Sequence, residues 1–157
     1  MGDRNEIVNV IGALAAHVDA RQWDCLAGLF ASEVRVDYTS LFRGEPQTML
    51  RKQLIDSWRQ LLPGFTHTTH LIGAPLVTVS GLTAQCAASV IAWHFVRDQG
   101  LEPNDHWIVG GCYEINFTEL EDAWRISRLT LARAWAQGNL DLPRIARERA
   151  AATGETE

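Results

Sequence analysis

From Arg4 to Asp19 the apolar residues Ile7, Val10, Ile11, Leu14 and Val18 recur at three- and four-residue steps. That period predicts a half-buried helix, with Asp3 as its cap. A second, short helix is expected over Trp23 to Phe30. The spacing then changes to strict alternation in Glu33 to Thr39, with Val34, Val36 and Tyr38 on one side and Arg35, Asp37 and Thr39 on the other. This predicts a strand with one buried face. After the break at Gly44-Glu45-Pro46, Thr48 to Leu62 returns to helical spacing through Leu50, Leu54, Ile55, Trp58 and Leu61, and Pro63-Gly64 ends it.

Beyond Phe65 the pattern is that of strands. Thr66 to Ile72, Ala74 to Val79, Thr83 to Val96, Trp107 to Thr118 and Trp124 to Ala134 are rich in β-branched and aromatic residues. Turns at Ser80-Gly81, Asp98 to Asp105 and Glu119 to Ala123 separate them. Asn139 to Thr153 suits a short helix. Helices first and antiparallel strands afterwards predict an α+β fold rather than a doubly wound sheet. A long curved antiparallel or mixed sheet covered by the N-terminal helices forms a cone, whose apolar interior can hold a small ligand. In Ala88-Val90-Ala92-His94-Val96 every second residue is small or apolar until a histidine appears on the same face. Ile91, Trp93 and Phe95 occupy the other face, and either could point inward.

Composition narrows the possibilities. A chain of 157 residues with 46 % hydrophobic content fits one domain with a substantial core, expected over residues 1–140 with a short helix and flexible tail over 141–157. The net charge is −5 and the basic residues are scattered, so nucleic acid is not an expected partner. No apolar run approaches the roughly 20 residues of a membrane span, and the N-terminus lacks the order of a signal peptide. Three widely spaced cysteines suggest reduced thiols and a cytoplasmic location. Six tryptophans and the apolar Ile91, Trp93 and Phe95 face suggest a homodimer or homotrimer.

Cofactors and metals are not indicated. No glycine-rich phosphate loop lies between a strand and a helix, and there is no G-x-S-x-G elbow. His67 and His70, three apart on an extended strand, point to opposite faces and are poorly placed to share a metal.

The segments Val18-Asp19-Ala20-Arg21-Gln22-Trp23-Asp24, Val36-Asp37-Tyr38, Thr69-His70-Leu71-Ile72-Gly73, Trp107 to Tyr113, Trp124-Arg125-Ile126 and Trp135 to Asn139 occur in an order and spacing that resemble the nuclear transport factor 2-like superfamily. Within it they resemble the SnoaL-like group that includes scytalone dehydratase. The resemblance covers the chain to about Asn139. It implies a catalytic set of Asp19, His70, Tyr38 and His94. Val36, Trp58 and Tyr113 are separately expected to touch substrate. Asp19 and His70 also match the Asp–His dyad of hexachlorocyclohexane dehydrochlorinase. Two departures stand out, Val18 for a tyrosine and Tyr113 for a cavity asparagine, and the first points away from the dehydratase's own substrate.

The resulting expectation is a cofactor-independent lyase or isomerase acting on a small hydrophobic carbonyl or cyclic substrate. His70 would be the general base, Asp19 its orienting carboxylate, Tyr38 an oxyanion donor and His94 a group assisting the leaving group. A non-catalytic ligand-binding module or accessory subunit with the same pocket is the alternative. His94 could equally be a satisfied core histidine.

Overall fold

Helix α1 (Gly2–Ala20) buries the expected stripe, with Ile7, Ile11, Leu14 and Val18 buried and Val10 half-buried. The computed structural model describes residues 2–97, 100–101 and 103–154. Asp98, Gln99 and Glu102 of the expected turn, and residues 155–157 of the expected tail, lie outside the described residues. No helix among the described residues is long and apolar enough to cross a membrane.

Arg21 stops α1 by adopting a left-handed φ of 54°, and its amide returns to the Val18 carbonyl at 3.2 Å. Helix α2 (Trp23–Ala27) ends before Phe30, the position to which it was expected to run. Phe30 instead opens strand β1 (Phe30–Asp37) and is fully buried there. Thr39, expected at the end of that strand, begins a single helical turn, α3 (Thr39–Phe42). The Asp37 side chain causes the switch, because it accepts from the Thr39 amide at 3.0 Å and the Thr39 hydroxyl at 2.7 Å.

The expected helix from Thr48 is shorter than its apolar spacing suggested. Gln47–Leu50 is strand β2, paired antiparallel with Val36–Glu33 of β1, and helix α4 runs only over Arg51–Arg59. Ladder hydrogen bonds claim residues 47–50, so Leu50 lies exposed while Leu54 and Ile55 are buried. The Gln53 side chain accepts from the Leu50 amide at 2.9 Å and closes the helix start. A 3-10 turn (Leu62–Gly64) leads to β3 (His67–Ile72), β4 (Leu76–Ser80), β5 (Thr83–Phe95), β6 (His106–Leu120) and β7 (Ala123–Gly138).

These strands form one seven-stranded mixed sheet in the order β2-β1-β7-β6-β5-β3, with β4 beside β5. Among the described residues only β1 and β7 pair in parallel. Bulges at Gly110/Gly111 and Asn116/Phe117 interrupt the β6–β7 ladder, the kind of feature that bends and twists long strands. The sheet therefore curves, and α1 packs against β3, β4 and β7.

Alternation along β5 resolves which face points inward. Ala84, Cys86, Ala88, Val90, Ala92 and His94 are buried, while Ile91 and Trp93 are half-buried and Phe95 is exposed. The chain closes with helix α5 (Leu142–Gly154), which lies against the 3-10 turn and buries Leu142 and Ala146. That contact requires glycine at position 64, because a Cβ there would sit 1.7 Å from the Ala146 carbonyl oxygen.

Candidate active site

Asp19 occupies the last turn of α1, where the helix dipole disfavours a carboxylate. Three donors compensate. The Thr68 hydroxyl and the His70 ring Nδ1 reach Oδ1 at 3.0 and 2.7 Å, and the His70 backbone amide reaches Oδ2 at 2.8 Å. The amide is available because β3 is the end strand of the sheet, with β5 on one side only. Thr68 and His70 share a face of that strand by alternation, so one carboxylate can meet both side chains.

Arg21 fixes the approach of the helix to the strand. Its guanidinium donates to the Leu62 carbonyl at 3.0 Å and the Phe65 carbonyl at 2.8 Å, and does not pair with the Asp19 carboxylate. Burial opposes ionisation of Asp19, but the hydrogen bonds from the His70 ring and amide, the His70 charge and the Thr68 hydroxyl outweigh it. The carboxyl is held below its ordinary value. A carboxylate can only accept, so Nδ1 of His70 carries a proton, and it is the neutral ring that holds its lone pair on Nε2.

His70 lines a cavity of about 680 Å³ between the sheet and the helices. Its walls include Leu14 and Val18 of α1, Trp58 of α4, and Val90 and Ala92 of β5. Asp19 is not part of the lining and stands behind His70. His94 is a second cavity residue, its ring centroid 5.5 Å from that of His70 and perpendicular to it. The Trp107 carbonyl accepts from His94 Nδ1 at 3.1 Å, which leaves Nε2 as an acceptor. Burial, reinforced by the His70 charge, lowers the His94 pKa from 6.5 to about 3, against opposing contributions from the Trp107 carbonyl and Asp19. Neutral His94 thus presents a lone pair rather than the proton expected of a leaving-group acid.

Tyr38 also lines the cavity, beside Tyr113 of β6. Burial raises the Tyr38 pKa well above 10.0, with further contributions from the neighbouring Tyr113 and its hydrogen bond. Burial raises that of Tyr113 to about 12, against a hydrogen bond from Tyr38, while the Asp19 charge adds to the rise. Both remain phenols able to donate. Trp58 lines the cavity as expected, its ring packed edge-on to Phe30 at 5.8 Å.

Val36 does not line the cavity. It is buried in the apolar core within β1, and the chain turns at Tyr38 (φ −114°, ψ 22°), so the two are no longer bound by strand alternation. Trp135 lies outside the cavity over Gly110. His17, His67 and His106 bond locally to Gln22, Thr69 and Asp105 and stay out of the cavity. Thr68 and Arg21 were not anticipated. Thr68-x-His70 spacing is a weak signal for the first, and nothing in the sequence marks the second.

A SnoaL-like domain family matches residues 1–130. Among solved structures, a Kribbella flavida protein is 26% identical, with a TM-score of 0.86 over 91% of this chain and 97% of that one. A candidate scytalone dehydratase from Novosphingobium aromaticivorans is 19% identical, with a TM-score of 0.72 over 87% of each chain. A hexachlorocyclohexane dehydrochlorinase, LinA type 3 from Novosphingobium barchaimii, is 15% identical, with a TM-score of 0.73 over 87% of this chain and 90% of that one. No curated protein sequence matches the chain.

Proposed function

The chain belongs to the SnoaL-like domain family, and from that premise we propose that it is a cofactor-independent lyase or isomerase acting on a small hydrophobic carbonyl or cyclic substrate. The observation that carries this reading is the Asp19–His70 contact at 2.7 Å on the wall of an apolar cavity. His70 Nε2 removes a proton from the carbon beside the carbonyl, and the electron pair moves to the carbonyl oxygen. Asp19 stays ionised and stabilises the imidazolium. Tyr38 turns its hydroxyl proton from Tyr113 to the enolate oxygen and donates to it. Return of the electron pair expels a hydroxyl or halide from the adjacent carbon, and the imidazolium proton completes departure of water. An isomerase returns that proton to a different carbon instead. His94 Nε2 accepts from a substrate hydroxyl and orients it. The neighbours' names, dehydratase and dehydrochlorinase, denote eliminations of this type.

The cavity's occupant is a small hydrophobic molecule in this reading. We also propose that the chain forms a homodimer or homotrimer and resides in the cytoplasm, where its three free cysteines stay reduced.

The direct test is deuterium uptake from heavy water into a panel of cyclic ketones and β-hydroxy ketones, followed by proton NMR. Wild-type protein should catalyse exchange at the carbon beside the carbonyl, and His70→Ala should not. If wild-type protein exchanges none of the panel that it binds, the lyase reading fails and a ligand-binding module replaces it.

A further inference from the structure

The cavity wall carries cationic side chains but no acidic one. Its lining includes Arg59 from α4 and Arg147 from α5, and no Asp or Glu among the described residues. This is unexpected in a chain of net charge −5. Arg59 is already engaged, standing over the Trp23 ring and 3.9 Å from the Asp24 carboxylate. Arg147 differs. Its guanidinium lies 5.5 Å from the Phe42 ring centroid, yet it makes no ion pair or hydrogen bond to a described residue. Phe42 is itself part of the cavity lining and sits 6.4 Å from the Trp107 ring, which in turn lies 4.5 Å from His94. A line of aromatic rings thus runs from the exposed guanidinium to the buried His94.

A guanidinium held near an aromatic ring by cation–π attraction still has N–H groups able to make bidentate contact with an oxyanion. We propose that Arg147 is a specificity-determining residue that anchors an anionic group at the rim of the cavity. The substrate class is then an amphiphilic acid, with an apolar ring system inside the cavity and its acidic group held at the rim. This deepens the proposed function and rests on its premise that the cavity is the substrate site. The bare anion would not suffice, since Arg147 is solvated and a simple ion gains little there. Insertion of the apolar body holds the acid beside the guanidinium.

The test uses two fluorophores with the same ring system. One is 8-anilinonaphthalene-1-sulfonate, which carries an anionic group, and the other is N-phenyl-1-naphthylamine, which does not. Both are titrated into wild-type protein and into Arg147→Gln and Arg147→Lys variants, with displacement of one by the other to establish a shared site. Arg147→Gln should weaken the sulfonate about tenfold and change the neutral probe less than twofold, with Arg147→Lys between. Added salt should weaken only the sulfonate. Parallel changes for the two probes, no change in either, or failure of the sulfonate to bind all overturn the anchor. Because binding is measured without turnover, an anion preference that does not depend on Arg147, or none in wild-type protein, alongside intact exchange activity removes this inference alone. An anion preference without exchange removes the lyase reading alone.

Discussion

Asp19, Thr68 and His70 form a unit in which each side chain is held by another. The carboxylate fixes the His70 tautomer, and the strand supplies the donors that make a carboxylate tolerable at a helix C-terminus. Asp19→Asn should therefore lower carbon-acid exchange by about 10²–10⁴-fold with the fold intact, since an amide can present N–H to Nδ1 and invert the tautomer. Its effect should not add to that of His70→Ala, because the two act together. Additive losses in the double variant would separate Asp19 from the chemistry.

His94 gives a second prediction at this scale. Its pKa falls from 6.5 to about 3, so between these values the unfolded chain takes up a proton that the folded chain refuses. Stability should decline as pH falls from 6.5. Asp19 adds to the decline at lower pH, because its depressed pKa contributes stability above 3.8 that is lost as the carboxyl protonates. Urea unfolding at pH 7, 5.5 and 4.5 should show this fall, with a flatter dependence in His94→Phe even though that variant starts less stable. Parallel slopes in the two proteins would remove His94 as the cause.

At the scale of elements, the cavity depends on two contacts that join parts far apart in the chain. Arg21 ties the end of α1 to the turn that precedes β3. Gly64, in that same turn, receives α5, whose residues Arg147, Ala150, Ala151 and Gly154 line the cavity. Gly64→Ala places a methyl group against the Ala146 backbone, which has no side-chain freedom with which to yield. The helix should lift from the turn, with early protease cleavage within residues 142–154 and a loss of thermal stability on the scale of core overpacking, about 1–3 kcal/mol. Wild-type protease resistance in this variant would show that α5 is not held through the turn.

At the scale of the molecule, the outer face of the sheet carries an apolar row across four strands. Leu71, Ile91, Gly110 and Trp135 lie opposite one another in register, and the Trp135 ring covers Gly110. Leu71 is 60% and Trp135 44% exposed, and Phe95 extends the patch along β5. Light scattering at micromolar concentration should return a mass two or three times that of one chain, and Leu71→Glu should reduce it. A wild-type mass of one chain would argue against self-association through this face.

The α1 stripe, the five later strands and the α+β order were legible in the sequence because each rests on local periodicity repeated over many residues. The Asp19–His70 pair was legible only through family resemblance, since 51 positions separate the partners. The remaining features were decided by tertiary contacts. Residues 47–50 became a strand because β1 offered a ladder, against their helical spacing. Val36 left the site and Tyr38 entered it because the chain turns between them. The donor capacity of His94 depends on a carbonyl 13 residues away, and the approach of α1 to β3 depends on Arg21 reaching carbonyls 41 and 44 residues on. Periodicity records which face of an element is apolar, whereas a hydrogen bond between distant elements leaves no repeating mark along the chain.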